Sequence, residues 1–506
     1  MAATMSNLAS GHVFGIATPH FKSSMMGMQD YLLTGAGPGA AISAALSLTY
    51  NLPHLCGLGG DAIIMQASPG NLEVFNGTGV TGTHQHHDNY LYKGLESIPR
   101  RGIYSTMVYG CPSAYERYTQ LHDIDLNRVF KHLHEHDLKH GLITTESLLQ
   151  AFYSSTKEPQ IHTRFTQWTH CFIQRKDPEP FYRHTLATLA REGFSSMYPG
   201  LLAEQVFDLL SRCDPHLYTA GDFADFVPNP SQVRSTRFMH ATVTAHGSNS
   251  PWKELFLLLK IYQLSAQDTN LLTPAQLCTA AGLIDTWLAS QPASDTGNER
   301  TLDQQAALIH QQLKQDNPEP VPQSCKTSHT IFMACAAADG TLTGITNSIF
   351  TPLGSLFEID NSGIILSNRA FSFNGPHACS TFKGRTAASH TTNCVHVSTD
   401  HLEFILGTSG GPVQSQTLAF IIYKIVAQNC PIQTALASPR CANLGRHPKT
   451  GGITYLSEAP QADPVFTWTN GLSDKLGVVQ LAGINTLNGQ VFAAADPRGS
   501  GVALAV

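Results

Sequence analysis

The stretch His329–Phe350, HTIFMACAAADGTLTGITNSIF, constrains the fold more than any other part of the chain. It is made almost wholly of apolar and hydroxylic residues, His329, Asp339 and Asn347 apart, so both of its arms are expected to lie in buried strands. Asp339-Gly340 is a hairpin turn signal. If Ala338–Gly340 form a three-residue loop with the glycine left-handed, residues whose numbers sum to 678 face each other, and Thr330 faces Ser348. Two hydroxyls opposed across a strand pair can hydrogen-bond for purely structural reasons. What surrounds this pair decides whether more is at stake.

Immediately before it runs DNPEPVPQSCKTS, Pro-rich, polar and without period, which reads as an exposed linker over about residues 316–329. Further on, LGTSGGP at Leu406–Pro412 places consecutive glycines after a strand, and their backbone N–H groups suit an oxyanion. A Thr hydroxyl is a poor nucleophile, but a Thr at the start of a chain can hand its proton to its own α-amino group, whose pKa is roughly 7.7–8.0. Thr330 becomes such a residue only if the His329–Thr330 peptide bond is cut.

The rest of the chain frames that hairpin. GAGPGAAISAALSLTYNLPHLCGLGGDAIIMQASPGNLEVFNGTG, from Gly35, reads as an Ala-rich helix, a Gly cluster and a hairpin around SPGN. From about Ser105 to Gln315 the pattern is helical and more polar, a helical layer with an insert. After the linker come strands, among them SGIILSN, EFILGTSGG and QVFAAADP, interrupted by the helix SQTLAFIIYKIVAQN. No internal repeat is present.

Composition excludes several functions. The 31 basic and 37 acidic residues give a net charge of -6 with no Lys/Arg block, which argues against a nucleic-acid partner. No leader-like apolar core follows the N-terminus and no run approaches a membrane span, so a soluble, cytoplasmic protein is expected. The 11 cysteines lack a C-x-x-C pair and read as reduced small hydrophobes.

Eight segments in order resemble the γ-glutamyltranspeptidase family of N-terminal nucleophile hydrolases, and more closely its cytosolic amidohydrolase-like members that lack glutamyl recognition. They include ATPHFKSSMMGMQDYLLTGAGPGAAISAAL, PHLCGLGGDAIIM, LEVFNGTG, CPSAYERYTQLHDIDLNRVF, the 329–350 hairpin, LGSLFEIDNSGIILSNRAFSF, LGTSGGPVQSQ and VFAAADPRGSGVALAV. The resemblance implies an α+β fold, a four-layer α-β-β-α sandwich, in place of the three domains that length alone suggests. It implies a proenzyme cut at Thr330 into subunits 1–329 and 330–506 of one intertwined fold. Thr330 falls on the nucleophile, Ser348 on the hydroxyl residue that positions it, and Gly410 and Gly411 on the oxyanion-hole glycines. The implied activity is that of a threonine amidohydrolase or acyltransferase on a small-molecule amide, with no cofactor and no metal.

The sequence departs from the family where glutamate is held. The Arg that clamps the α-carboxylate is missing from FNGTGVTGTH, where Thr78 and Val80 stand at the candidate positions. Ser372 replaces the acidic residue after SNR, and RTAASHTT keeps Ser389 of two adjacent serines, beside Ala388. Glutathione and other γ-glutamyl donors are therefore not the expected substrates, since a desolvated zwitterion would lack charged partners. Arg369 and Arg385 are candidate anion contacts, though an ordinary surface position is the expectation for each. Thr327, in a T-S-H context, competes with Thr330 as nucleophile, but would insert three residues and flip the strand face.

Histidines 132, 136 and 140 recur at i, i+4 spacing, as a metal site would want, without the carboxylate of H-E-x-x-H; a solvated helix face is the reading preferred. THQHHDNY at Thr83–Tyr90 reads as a loop. GLGGDA at Gly57–Ala62 lacks the Lys of a phosphate loop and reads as a tight turn packed beneath the site.

Overall fold

The computed structural model describes residues 7–142, 145–155, 157, 168, 179–268, 272–291, 298–314, 321, 329–374, 383–391, 393–446, 452–461 and 463–506. Thr327 and all of the expected linker except Val321 and His329 lie outside the described residues.

In chain order the strands are β1 (Asn7–Gly11), β2 (Phe14–Thr18), β3 (Asp61–Ser68), β4 (Asn71–Gly77), β5 (Val233–Phe238), β6 (Ala241–His246), β7 (His329–Ala337) and β8 (Leu342–Phe350), then β9 (Cys394–Ser398), β10 (Leu402–Thr408), β11 (Cys441–Arg446), β12 (Ile453–Ser457), β13 (Phe466–Trp468), β14 (Val479–Asn485), β15 (Gln490–Ala495) and β16 (Val502–Ala505). Six form one sheet in the order β16-β2-β7-β8-β3-β4, and seven form a second in the order β1-β15-β14-β10-β9-β6-β5. A small third sheet holds β11-β12-β13.

The 329–350 hairpin lies in the middle of the six-stranded sheet, which is why it carries no charge along either arm. Its inner face packs on the seven-stranded sheet through a core rich in small residues, with Ala17, Phe332 and Ala334 from one side and Ile405, Ala482, Val491 and Ala493 from the other. Fully burying a side chain the size of Phe332 contributes about 1.5–3 kcal/mol.

Helices cover both outer faces. Phe21–Thr34 and Gly37–Asn51 belong with Cys111–Leu121 to the core over the six-stranded sheet. The second of these is buried on nearly every side, which explains its Ala-rich, weakly amphipathic sequence. Trp252–Gln267, Pro274–Ser290, Glu299–Leu313 and Gln414–Ile422 cover the other sheet. Thr273 starts one of them with a capping box to Gln276 and Pro274 in the first turn. The result is the α-β-β-α sandwich expected from the sequence.

Two local readings need correction. The segment read as a helical layer with an insert between Ser105 and Gln315 contains the hairpin β5–β6, whose strands complete the seven-stranded sheet. SGIILSN is not a strand but a loop held by one bridge between Glu358 and Ile365. No described helix is long and apolar enough to cross a membrane.

Candidate active site

The turn of the β7–β8 hairpin forms as the residues dictate: Gly340 is left-handed (φ 86°) and Ala337 N–H donates to Thr341 O at 2.9 Å. The register from Ile331↔Asn347 to Ala336↔Leu342 follows the sum of 678. It shifts between His329 and Ile331, where His329 pairs with Phe350, so Thr330 sits in a bulge at the strand end instead of in a regular pair.

That irregularity organises the site. Ser348 Oγ donates to the carbonyl oxygen of His329 at 2.8 Å, and this carbonyl belongs to the peptide bond that precedes Thr330. Thr330 is 1% exposed, and its own Oγ1 is buried without a hydrogen-bond partner. Phe350 holds a left-handed backbone (φ 76°), an unfavourable conformation for a bulky residue that the surrounding contacts must sustain.

Ser348 is itself held. Arg369 Nη2 donates to Ser348 Oγ at 3.1 Å, Arg369 Nε donates to Asp61 Oδ2 at 2.9 Å, and the guanidinium lies 4.6 Å from the centre of the Phe350 ring. Arg369 is 1% exposed and its Nη1 has no partner. The expected surface position for Arg369 is therefore wrong, because Asp61 on β3 lies directly across from Ser348 and brings the countercharge into the core. Burial pulls the Arg369 pKa down against the stabilising pull of Asp61, and burial raises that of Asp61 against Arg369 and the Gly79 N–H donated to it at 2.7 Å.

The GLGGDA turn passes directly beneath. A Cβ on Gly60 would lie 2.2 Å from Ser348 O, so only glycine allows the turn to approach this strand. Gly57 N–H donates to Asn347 Oδ1 at 3.0 Å, fixing the neighbouring strand residue.

Gly410 and Gly411 follow β10 at the same end of the sandwich as Thr330. Gly407 rests on the Phe332 ring, while Gly344, across the hairpin from Ala334, packs near Ile405, so the end of β10 lies over the start of β7. Both glycines are left-handed, with φ 114° and 58°, and lead into the helix Gln414–Ile422. Side chains would strain this turn.

The donor-site departures have their own geometry. Thr78 is buried; its Oγ1 donates to Asn76 Oδ1 at 2.6 Å and contacts His390 Nε2 at 3.0 Å. Because the hydroxyl proton goes to an acceptor-only oxygen, His390 is the donor in the second contact and its unpartnered Nδ1 carries the lone pair. Burial keeps His390 neutral, with the charge of Arg369 and then His246 adding to the effect. Ser389 is exposed, with Ala388 and His390 buried on either side, and Ser372 is half-buried in the 3-10 turn that begins at Arg369. Arg385 is tied elsewhere, donating to Gly221 O at 2.7 Å.

The remaining sequence candidates resolve simply. The helix bearing His132 ends at His136, and His140 belongs to the 3-10 turn after it, so the three do not share a helical face. Among the described residues no group of three or more His, Cys, Asp or Glu could hold a metal ion. Thr83–Tyr90 is a loop only as far as His86, which caps the short helix His87–Tyr92, and buried Gln85 anchors it to Thr106 O at 2.9 Å. Asp61 and His390 escaped the sequence reading, although an Asp inside a Gly-rich turn and an Arg in a buried segment could have suggested each other.

A sandwich of this layering, with a hydroxyl residue at the start of a central strand, defines an N-terminal nucleophile hydrolase or acyltransferase. A family model described as gamma-glutamyltranspeptidase matches residues 34–506, and the chain belongs to that family. It is 26% identical to the glutathione hydrolase-like YwrD proenzyme of Bacillus subtilis, over 97% of this chain and 98% of that one. It is 23% identical to the oxamate amidohydrolase proenzyme of Klebsiella pneumoniae, over 86% of each chain. Among solved structures, cephalosporin acylase from Bacillus halodurans shares the fold with a TM-score of 0.81, at 19% identity over 99% of this chain and 97% of that one.

Proposed function

We propose that the chain is a self-processing threonine amidohydrolase or acyltransferase that acts on a small-molecule amide through an acyl-enzyme. One observation carries the reading: Ser348 Oγ donates to the carbonyl of the His329–Thr330 bond while the Thr330 hydroxyl lies buried beside it without a partner. The names of two relatives as proenzymes, one of them an amidohydrolase, support it.

In the precursor, Thr330 Oγ1 attacks the His329 carbonyl carbon, the C–N bond breaks, and the nitrogen becomes the free Thr330 amine. Water then hydrolyses the ester, leaving chains 1–329 and 330–506. In the mature enzyme Thr330 Oγ1 attacks the substrate amide and its amine takes the hydroxyl proton, which passes to the leaving nitrogen. Ser348 orients the nucleophile, the Gly410 and Gly411 N–H groups stabilise the oxyanion, and water or an amine resolves the ester. The chemistry needs no cofactor.

Intact-mass spectrometry of the protein beside Thr330→Ala is the test. Fragments that meet at His329–Thr330 and vanish in the variant are expected; an uncut chain in both removes the reading, and a cut before Thr327 moves the nucleophile. A γ-glutamyl enzyme with a divergent donor site is the second reading, favoured by the name of the Bacillus subtilis relative. Thr78, already engaged by Asn76 and His390, argues against it, and Ser372 beside the buried Arg369 leaves a donor α-amino group without an acidic partner. Turnover of a γ-glutamyl anilide would restore it.

A further inference from the structure

Far from the hairpin, two cysteines distant in sequence meet where the region before Thr330 packs on the region after it. Cys278 lies in the helix Pro274–Ser290, and Cys441 opens β11. Asn443, also on β11, donates from Nδ2 to the Cys278 carbonyl at 3.0 Å and so holds strand and helix together at this point. Cys441 Sγ donates to Pro274 O at 4.0 Å, one helical turn before Cys278, and the Cys278 thiol is hydrogen-bonded to that of Cys441. Both thiols are free, Cys278 buried and Cys441 half-buried, and both line a cavity of about 190 Å³ walled also by Leu258, Tyr262 and Phe420. One water needs only about 10–15 Å³, so a small polar molecule has room beside the two sulfurs.

We propose that Cys278 and Cys441 are a redox pair that hydrogen peroxide converts to a disulfide, clamping the helix Pro274–Ser290 to β11. The clamp joins the two subunits covalently, a consequence that rests on the chain being cut before Thr330, although the disulfide itself does not. Oxidation starts at Cys441, the sulfur that is not fully enclosed, because burial and the hydrogen bond to Cys441 hold the Cys278 thiol well above the ordinary range and keep it protonated. The Cys441 thiolate attacks one peroxide oxygen, the O–O bond breaks, and the other oxygen leaves as hydroxide, which gives a sulfenic acid at Cys441. The Cys278 sulfur then attacks the Cys441 sulfur, the S–O bond breaks, and the departing oxygen takes the Cys278 proton and leaves as water. Two thiols and one peroxide thus become one disulfide and two waters, the sulfurs giving up the electron pair that the peroxide accepts. The movement required is small, since side-chain rotation has only to close a sulfur–sulfur hydrogen bond to about 2.05 Å.

The test treats the folded wild-type protein with hydrogen peroxide, blocks the remaining thiols by alkylation, and maps its peptides by mass spectrometry without reduction. A cross-linked peptide pair holding Cys278 and Cys441 is expected, absent from the untreated protein and lost again on reduction with dithiothreitol. Cys278→Ala and Cys441→Ser should each abolish it. In Cys278→Ala, peroxide with dimedone should label Cys441, because the sulfenic acid there has lost the thiol that resolves it. Oxidation that stops at a sulfinic acid on Cys441 in the wild type, or a cross-link between other cysteines, overturns the pair, and dimedone on Cys278 in Cys441→Ser overturns the order of attack. A non-reducing gel reads the clamp: the subunits of the cut protein should run as one band after peroxide and as two after dithiothreitol. A chain that is never cut runs as one band in both lanes and removes the threonine reading, while the cross-linked peptide still decides on the disulfide.

Discussion

Two buried arginines, Arg369 and Arg498, solve the same problem in different ways. Arg498 places every guanidinium N–H: Nε on Glu458 at 2.7 Å, Nη1 on Leu436 O and Asp496 at 2.7 and 3.0 Å, and Nη2 on Ser438 O and Glu458 at 2.9 and 2.5 Å. Arg369 has one carboxylate and one hydroxyl, with Nη1 left over. Their pKa values diverge accordingly. At Arg498 burial is outweighed by Glu458 and Asp496 and the value rises, whereas at Arg369 burial outweighs Asp61 and the value falls. A saturated buried charge is a structural joint, whereas Arg369 keeps one unsatisfied N–H beside the strand end that holds Thr330 and Ser348.

The strongest way to break this comparison is to remove each arginine. Arg498→Met strands Glu458 in the core, while Asp496 keeps Arg440, and should destabilise the protein by about 3–5 kcal/mol, read from denaturant midpoints. Arg369→Met, which removes two hydrogen bonds where Arg498→Met removes five, should lose clearly less stability but nearly all self-cutting, read by intact mass. If Arg369→Met unfolds the chain as readily as Arg498→Met, the distinction between joint and site collapses.

Ser348→Ala sharpens the same contrast from the side of the reaction. It deletes the hydroxyl donor to the His329 carbonyl while leaving the ion pair of Arg369 and Asp61 in place. Loss of one such donor costs about 10²–10³-fold in rate in comparable sites. The half-life of the uncut chain should lengthen by that factor, with the denaturant midpoint moved little. Cutting at the wild-type rate would mean that Ser348 is only a structural partner of the strand.

Much of this was legible in the residues, and the misses share a cause. The hairpin register follows from one Asp-Gly turn and strand periodicity, both local. The bulge at Thr330 is not local: it comes from the meeting of His329, Phe350 and Ser348 at the strand end. Arg369 read as a surface charge because its partner Asp61 lies on another segment of the chain, brought opposite Ser348 only by the pairing of β3 with β8. The β5–β6 strands hid in a polar stretch because VRSTRF alternates exposed and buried residues at the sheet edge. For the bulge and for Arg369 the deciding contact joins residues that sequence order keeps apart.

The smallest single-residue effect is expected at the histidines, which respond to burial as Arg369 does but can give up their charge. Burial lowers the His54 pKa from 6.5 to about 3, with the nearby His329 adding to the shift, and lowers those of His20 and His246 to about 4. The unfolded chain therefore takes up protons below pH 6.5 that the folded chain refuses until pH 4 or lower. Stability must fall as the pH drops through that window, and each histidine contributes a slope approaching 1.4 kcal/mol per pH unit. Denaturant midpoints measured between pH 7 and pH 5 should show the decline, and His54→Gln should flatten it by about one proton while keeping a polar group near Ser147. An unchanged slope in His54→Gln would mean that His54 is protonated in the folded state, and that its contact with the Ser147 hydroxyl at 3.1 Å, together with water reaching the ring, outweighs burial.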